Sequence, residues 1–275
     1  MKKNFVPLIL LTTFVSFGIV LWLTTDKIFY LFNFLYIGGF VSFGAWLASK
    51  EYKHTRLIVQ LGVGIYMLLY LGVIQRENMQ IEGFFYYLYL GVFQAATIHY
   101  FVAKIGGPFL FGRGWCGYAC WTAMVLDLLP YKTPQKPRIE KLGILRYLLF
   151  LISFLLVSGL FVFDYKNLEK TMFILFIVGN LLYYIAGIVL ALTLKDNRAF
   201  CKYICPITTL IKPASYLSFI RVKIDVDKCI SCNKCLKVCP MNVNMMDPSR
   251  SRKNGTECIL CLECIKTCPE KALRI

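Results

Sequence analysis

The sequence predicts an α-helical membrane protein with six transmembrane helices and a small α+β domain at its carboxyl end. Three observations predict this fold class: the overall composition, a series of long apolar runs, and a cysteine-rich segment that follows them. Of the 275 residues, 58% are hydrophobic and only 17% are charged, a balance typical of integral membrane proteins. We therefore expect a membrane domain over residues 1–220 and a separate tail domain over residues 221–275.

Six apolar runs are each long enough to cross the roughly 30 Å of hydrocarbon in a bilayer. The first run is too long for the apolar part of a secretory signal and lacks a small-residue cleavage site after it, so we expect it to be retained as a span. The six runs lie near residues 5–24, 28–48, 57–75, 84–103, 143–163 and 172–194.

The basic residues of the loops predict the orientation of these helices. Lys2 and Lys3 precede the first run, and further Lys and Arg are concentrated between the second and third runs and between the fourth and fifth. By the positive-inside rule, both termini are cytoplasmic and the protein spans the cell (inner) membrane several times. Basic loops beside membrane lipid also explain the formal net charge of +16, so we exclude nucleic acid as a partner.

The cysteines of the tail domain form two copies of one spacing. Residues 229–240 and 258–269 each read C-x₂-C-x₂-C-x₃-C-P, the run that holds cubane clusters in bacterial ferredoxins with two clusters. The fourth cysteine of each run ligates the other cluster, so we predict two 4Fe-4S clusters in a two-cluster ferredoxin domain. The predicted ligands are Cys229, Cys232, Cys235 and Cys268 for one cluster, and Cys258, Cys261, Cys264 and Cys239 for the other. Structural zinc is the alternative, but its sites usually show two C-x₂-C pairs instead of triplets.

A second cysteine pattern occurs twice in the membrane domain. Residues 113–120 and 198–205 both read Arg, any residue, aromatic, Cys, any, Tyr, any, Cys. Each pattern follows a predicted helical hairpin, which defines repeats over residues 57–120 and 142–205, and repeats of one orientation bring both patterns to the same membrane face. Cysteines four residues apart lie on one side of a helix, so the two pairs could hold a third iron–sulfur centre. Its candidate ligands are Cys116, Cys120, Cys201 and Cys205. Reduced thiols that pack the repeat interface, and a redox-active dithiol, are the open alternatives.

Three further residues are candidates for roles beside these sites. Arg113 and Arg198 begin the two patterns: a fixed cation beside a cluster raises its reduction potential, whereas an arginine at the membrane surface binds lipid headgroups. His99 lies inside the fourth run, and an intramembrane histidine is a candidate for binding a quinone or transferring a proton. A histidine that only packs between helices is the simpler interpretation of His99.

With these motifs in view, the chain resembles the membrane-bound polyferredoxins of the NapH/NosR/CcoG type. FGRGWCGYAC at 111–120 and CKYICP at 201–206 are similar to the C-x₃-C-P motifs of those families, although Trp121 stands where the first motif normally has proline. The likeness covers about residues 85–275 and is greatest for the short quinol-dehydrogenase-like subunits. It implies electron transfer between the ferredoxin clusters and either the quinone pool or a partner redox subunit.

We therefore expect an electron-transfer subunit and not a self-contained enzyme. The tail domain carries more Lys and Arg than Asp and Glu, which favours an acidic redox partner such as a flavodoxin-like or ferredoxin-like protein. Basic residues held near anionic lipid explain the same balance without a partner. The alternative function is a maturation or metal-reducing factor for a respiratory metalloenzyme, in which the C-x₃-C pairs handle a metal ion for delivery.

Overall fold

The computed structural model describes residues 5–93 and 95–275, so Lys2 and Lys3 of the predicted cytoplasmic amino terminus lie outside the described residues. The described chain is mostly helical and contains one short two-stranded sheet. In chain order, the helices and strands are α1 (Phe5–Thr25), α2 (Phe29–Ser49), α3 (Thr55–Ile65), α4 (Ile81–Tyr89), α5 (Ala95–His99), α6 (Gly107–Phe111), α7 (Gly114–Tyr118), α8 (Trp121–Leu126), α9 (Leu145–Val162), α10 (Leu168–Leu194), α11 (Ala199–Tyr203), α12 (Thr208–Tyr216), β1 (Lys223–Ile224), α13 (Lys234–Lys237), α14 (Glu263–Thr267) and β2 (Leu273–Arg274). Two π-helical segments, Tyr66–Ile74 and Tyr100–Gly106, continue α3 and α5, and short 3₁₀ segments cover Glu140–Ile144 and Gly255–Glu257.

Five helical stretches in the described residues are long and apolar enough to cross a membrane. Each agrees with a predicted apolar run to within a few residues, and the side chains of α9 and α10 leave much apolar surface exposed to the surroundings, which suits contact with lipid. These five stretches indicate a membrane protein. They are Phe5–Thr25, Phe29–Ser49, Thr55–Ile74, Glu140–Val162 and Leu168–Leu194.

The fourth predicted span, residues 84–103, is not one continuous helix. α4 ends at Tyr89, and the chain turns before α5 begins at Ala95. Gly91 in this turn has a φ of +66°, a left-handed conformation through which an α-helix does not pass. Hydropathy cannot detect the break because an apolar turn has the same composition as an apolar helix. The prediction of six continuous spans is therefore not confirmed.

The segment before and through α4 is held inside the bundle by polar contacts. Asn78 Nδ2 donates to the carbonyl oxygen of Met172 at 2.9 Å, and Ser153 Oγ donates to Glu82 Oε1 at 2.6 Å. Asn78 is only 1% exposed. A polar side chain is tolerated in such a place because it is hydrogen-bonded, and these two bonds fix the segment against α9 and α10.

The tail domain is closed by its own two ends and packs on the membrane domain. β1 pairs with β2 in antiparallel register, with Lys223 opposite Arg274 and Ile224 opposite Leu273, so both cysteine runs lie between the paired strands. A second hydrophobic core, separate from that of the helical bundle, joins this domain to α7 and α11. That shared core places the tail domain at the end of the bundle where both C-x₃-C patterns lie.

We expect Gly83→Ala to destabilise the protein, because a Cβ at Gly83 would lie 1.7 Å from the backbone oxygen of Asn78. The backbone would have to shift, at a cost of about 1–3 kcal/mol, which exceeds the gain of up to about 1 kcal/mol from replacing a helical glycine. Gly39→Ala in α2 is the matched control, since nothing lies within 4 Å of its added methyl group. Thermal unfolding in detergent compares the variants: a melting temperature for Gly83→Ala equal to that of Gly39→Ala would contradict the tight turn before α4.

Candidate iron–sulfur centres

Four of the predicted ligands in the tail domain surround one cavity. Its other walls are formed by β1, the start of α13 and β2. The cysteines that line it are Cys229, Cys232, Cys235 and Cys268. The fourth cysteine of the second run is thus brought to the first run's triplet.

A second cavity gathers the remaining four cysteines of the tail domain. Apolar side chains complete its wall, among them Val222, Met241 and Ile259. The cysteines that line it are Cys239, Cys258, Cys261 and Cys264. The structure therefore groups the eight cysteines in the same two sets of four as the sequence spacing predicts, while ligation itself stays a prediction.

The two cysteine loops share one backbone conformation. The residues on either side of the second cysteine are left-handed in both loops: Ser231 and Asn233 in the first, with φ of 54° and 59°, and Leu260 and Leu262 in the second, with φ of 52° and 63°. Leucine rarely adopts this conformation, which costs on the order of 1–2 kcal/mol, so the surrounding structure must enforce it. Such turns aim successive backbone N–H groups into a concavity that suits an anionic cluster.

Backbone donors also reach the sulfurs directly. Val243 N donates to Cys239 Sγ at 3.3 Å, and the backbone N–H of Leu260 hydrogen-bonds to the sulfur of Cys258. Burial, together with the neighbouring sulfurs of Cys239 and Cys261, raises the pKa of Cys258 to about 12, so the thiolate form that ligates iron needs the positive charge of a metal centre beside it. The donors, the cavities and the all-sulfur ligand sets fit iron–sulfur clusters.

These cysteines do not form a compact single-ion site. Across residues 5–93 and 95–275, no three Cys, His, Asp or Glu side chains converge closely enough to hold one metal ion. The tail cysteines instead stand around the walls of two cavities. Sulfurs arranged around a space suit a multi-atom cluster better than a tetrahedral zinc ion.

The two C-x₃-C patterns have matching local structure. The first cysteine of each lies in a five-residue helix, α7 or α11, which begins directly after its arginine. Cys120 and Cys205 lie beyond the helix ends, so the prediction that the two cysteines of a pair share one side of a helix is wrong. Trp121, in the place of the usual proline, starts α8 and donates through Nε1 to Asn180 Oδ1 at 2.8 Å. The first pattern is thereby fastened to α10 by a hydrogen bond that proline could not make.

The arginines of the two patterns connect the patterns to each other. Arg113 Nη2 donates to the carbonyl oxygen of Cys201 at 3.4 Å, and Arg198 Nη1 donates to that of Cys116 at 3.0 Å. Each repeat thus binds the cysteine turn of the other. This reciprocity brings Cys116 and Cys201, both almost fully buried, to one site between α7 and α11.

Arg113 ends in a buried ion network with the tail domain. Its guanidinium pairs with Glu257, which also accepts hydrogen bonds from Arg146 at 2.8 Å and Arg138 at 3.1 Å. Burial would raise the pKa of Glu257, but these guanidinium groups outweigh it and hold the pKa at about 2. Glu257 is only 1% exposed and directly precedes Cys258. These ion pairs therefore hold the start of the second cysteine run against the membrane domain.

Arg198 has its own buried counterion, Asp127, directly after α8. Its Nε donates to Asp127 Oδ1 at 2.8 Å, and Arg56 approaches the other carboxylate oxygen at 2.6 Å. Although burial acts to raise the pKa of Asp127, Arg198 and Arg56 lower it. Both pattern arginines are 1% exposed, so the interpretation that they bind lipid headgroups is wrong. They are buried cations beside the C-x₃-C cysteines, and that position suits the electrostatic role.

The second cavity of the tail domain lies against the first C-x₃-C turn. A Cβ on Gly117 would stand 2.3 Å from the carbonyl oxygen of Ile259, and Tyr118 donates its hydroxyl to Leu260 O at 3.1 Å. Glycine between Cys116 and Cys120 therefore permits the loop that starts the second cysteine run to pack on α7. The second cavity therefore lies next to the first C-x₃-C turn, and the first cavity belongs to the same tail domain.

His99 faces an apolar cavity inside the bundle. It ends α5, and its Nε2 is buried with no hydrogen-bond partner among the described residues. The walls include Phe34, Ile37 and Met67, and the ring of Trp115 lies edge-on at 5.1 Å. Trp115 also lines this cavity and directly precedes Cys116, so the cavity lies next to the first C-x₃-C turn.

Sequence reasoning missed the two buried carboxylates. Asp127 is the single charge in an apolar stretch, and Glu257 directly precedes a predicted ligand. Each of these positions indicates a carboxylate that is buried with a cation. The arginine partners of Glu257 could not be predicted from the sequence, because Arg146 comes from the start of α9 and Arg138 from the basic connector before it.

Two protein-family models match the chain. One, described as a 4Fe-4S dicluster domain, matches residues 221–269. The other, described as a 4Fe-4S binding domain, matches twice, over residues 95–140 and 172–226. Each of these two matches contains one C-x₃-C pattern, so both repeats resemble the same iron–sulfur family.

Individual relatives cover less of the chain. An uncharacterized protein of Methanocaldococcus jannaschii is 27% identical over 181 residues, which cover 62% of this chain and 68% of the relative. A second uncharacterized protein of that organism is 27% identical over 151 residues, 50% of this chain and 63% of the relative. YccM of Escherichia coli K12, named as an electron transport protein, is 34% identical over 56 residues, 20% of this chain and 16% of YccM. No solved structure matches the chain.

These matches indicate the general class of protein to which the chain belongs. The chain is a ferredoxin-like iron–sulfur protein with several helices able to span a membrane. The iron–sulfur domains and the similarity to YccM support electron transfer through iron–sulfur clusters. Because the matches cover less than two thirds of two of the three relatives, the activity of the whole protein is a proposal.

We expect Glu257→Gln to weaken the attachment of the tail domain. The substitution leaves three buried guanidinium groups without their counterion, and breaking such a buried ion pair costs about 3–5 kcal/mol. Glu263→Gln is the matched control, because Glu263 forms an exposed pair with Lys266 at 3.1 Å and such pairs contribute about 0–1 kcal/mol. Limited proteolysis and thermal unfolding of the purified protein measure the difference. Equal protease resistance of both variants would show that the Glu257 network does not hold the tail domain.

Proposed function

We propose that this chain is a membrane-anchored iron–sulfur protein of the NapH/NosR/CcoG type that passes electrons between a cytoplasmic redox partner and the membrane. The membrane-side partner is the quinone pool or a redox subunit. The observation that carries the proposal is the packing of the loop that starts the second cysteine run on the first C-x₃-C turn. Trp115 of that turn also lines the His99 cavity. When bound, iron–sulfur clusters supply one-electron transfer, and the chain supplies their position and electrostatic surroundings.

The proposed ligands follow the grouping of the cysteines. The first cavity supplies four thiolates to one 4Fe-4S cluster, the second cavity supplies four to another, and the two C-x₃-C pairs supply four to a third iron–sulfur centre. Two features support the third centre: the family match at each pair, and the fully buried Arg113 and Arg198 beside it. A thiolate-ligated cluster carries net negative charge, which these cations stabilise.

The proposed orientation places the tail domain in the cytoplasm, with both termini on that side of the cell membrane. The basic connector between α8 and α9, which includes Lys132, Lys136 and Arg138, lies at the same end of the bundle as the tail domain: Arg138 pairs with Glu257. The positive-inside rule assigns this end to the cytoplasm. A cytoplasmic, basic tail domain suits an acidic flavodoxin-like or ferredoxin-like partner.

Burial of the C-x₃-C cysteines favours electron transfer over metal delivery. Cys116 is 7% exposed and Cys201 is 5% exposed, and the tail domain packs over the first turn. A factor that transfers a metal ion to another enzyme needs ligands that the recipient can reach, whereas electrons cross a packed protein interior. The maturation or metal-reducing function is therefore the second candidate.

Iron and acid-labile sulfide analysis tests the number of centres. We expect about twelve iron atoms per chain if the third centre is a cubane, and about eight in the Cys116→Ser/Cys201→Ser variant. Cys229→Ser is the comparison variant, since it should disturb only the first tail-domain cluster. Electron paramagnetic resonance of the reduced proteins should then lose different signals in the two variants. About eight iron atoms in the unchanged protein would overturn the third centre and leave the two tail-domain clusters standing.

Reoxidation by a quinone tests the membrane-side partner. The quinone head would accept a hydrogen bond from the unpartnered Nε2 of His99 in the apolar cavity. We expect His99→Phe, in liposomes, to remain reducible by dithionite but to be reoxidised by a quinone analogue at least about tenfold more slowly. His54→Phe, at an exposed loop position, should behave as the unchanged protein. Unaltered reoxidation of His99→Phe would exclude this cavity, and the absence of any reversible reduction in the unchanged protein would overturn electron transfer itself.

A further inference from the structure

A group of three arginines lies at the junction of α12 and the tail domain without carboxylate partners. Arg221, Arg250 and Arg252 line one pocket, which is walled on the opposite side by Phe111 and Gly112 at the end of α6. Every ion pair found among the described residues involves other basic side chains. Like charges gathered in this way repel each other unless an anion lies between them.

The pocket contains donors that have no acceptor. Arg221 Nε is buried and makes no hydrogen bond in the described structure, and neither does the hydroxyl of Ser215, a residue that is only 6% exposed. Arg250 donates through Nη1 to the carbonyl oxygen of Tyr216, and Arg252 donates through Nη1 to the carbonyl oxygen of Val222. Buried donors left unpaired cost about 1–3 kcal/mol each, so their presence around one pocket indicates an acceptor-rich ligand.

Apolar side chains that alternate with Tyr216 and Ser218 of the pocket lining form an outward-facing rim next to the pocket. Leu217 is 54% exposed, Phe219 is 74% exposed and Ile220 is 45% exposed. These residues follow α12 at the end of the helical bundle, where the headgroups of a bilayer would lie. An apolar rim next to a cationic pocket matches a molecule that has both a charged head and acyl chains.

We propose that this pocket binds the phosphate group of an anionic phospholipid. The guanidinium groups supply charge and paired donors for phosphate oxygens, Ser215 supplies a hydroxyl donor, and the apolar rim contacts the acyl chains. Arg250 and Arg252 belong to the segment between the two cysteine runs, whereas Ser215 belongs to α12. A bound phosphate therefore links the tail domain to the membrane domain beside the Glu257 network, since Thr256 and Cys258 also line the pocket.

This site requires neither iron nor electron transfer, so its test is independent of the proposed function. The full chain is purified in detergent and studied by native mass spectrometry with phosphatidylglycerol, phosphatidylcholine or inorganic phosphate added. We expect phosphatidylglycerol to be retained in preference to phosphatidylcholine and to raise the melting temperature, because it binds the folded protein. In Arg221→Gln/Arg250→Gln, retention should fall about tenfold or more. Arg252 is left unchanged because it is buried and supports the fold.

Lys228→Gln/Lys266→Gln is the matched control, since it removes two exposed charges of the tail domain, 65% and 60% accessible at the side chain. This variant should retain the lipid as the unchanged protein does. Saturable binding of inorganic phosphate that is lost in the arginine variant, without preference for phosphatidylglycerol, would support the phosphate pocket and assign it to a soluble ligand. Equal retention of phosphatidylglycerol by the unchanged protein and the arginine variant, with no specific phosphate binding, would overturn the site. Circular dichroism confirms that each variant is folded.

Discussion

Glu257 accepts hydrogen bonds from guanidinium groups of the membrane domain while it stands directly before a cysteine of the tail domain. A carboxylate buried to this extent is stable only with full charge compensation, because its loss of hydration is large. Arg113, Arg138 and Arg146 provide that compensation from three separate parts of the chain. The position of the tail domain, and with it the distance between the second cavity and the C-x₃-C cysteines, depends on this network.

The same principle operates in the other repeat with a different carboxylate. Arg198 pairs with Asp127, which directly follows α8, while Arg113 pairs with a residue of the tail domain. The duplicated arginines thus have equivalent positions beside the cysteines but counterions of separate origin. Because the repeat is duplicated, the two arginines have matching positions beside the cysteines. Because the tail domain packs on one side of this site, their counterions differ.

The interior of the bundle is more polar than its apolar runs suggest. Asn78, Glu82 and Asn180 are held by hydrogen bonds between helices, and the turn at Gly91 divides what reads as one span. Polar groups in such an interior need partners close by, so they restrict how the helices can pack. One of them, Asn180, accepts its hydrogen bond from Trp121, directly after the first C-x₃-C turn.

The sequence by itself determined five of the helical spans and the division of the tail cysteines into two groups of four. A long apolar run has few folded alternatives in a bilayer. The C-x₂-C-x₂-C-x₃-C-P spacing brings three cysteines together in one loop and assigns the fourth to the other run. Only the tertiary structure decided the break at Gly91, the burial of Arg113 and Arg198, and the partners of Glu257 and Asp127. The break could not be predicted because hydropathy does not distinguish an apolar turn from an apolar helix. The ion pairs could not be predicted because they join residues far apart in the chain, and a charged residue does not identify its counterion until the fold brings the two together.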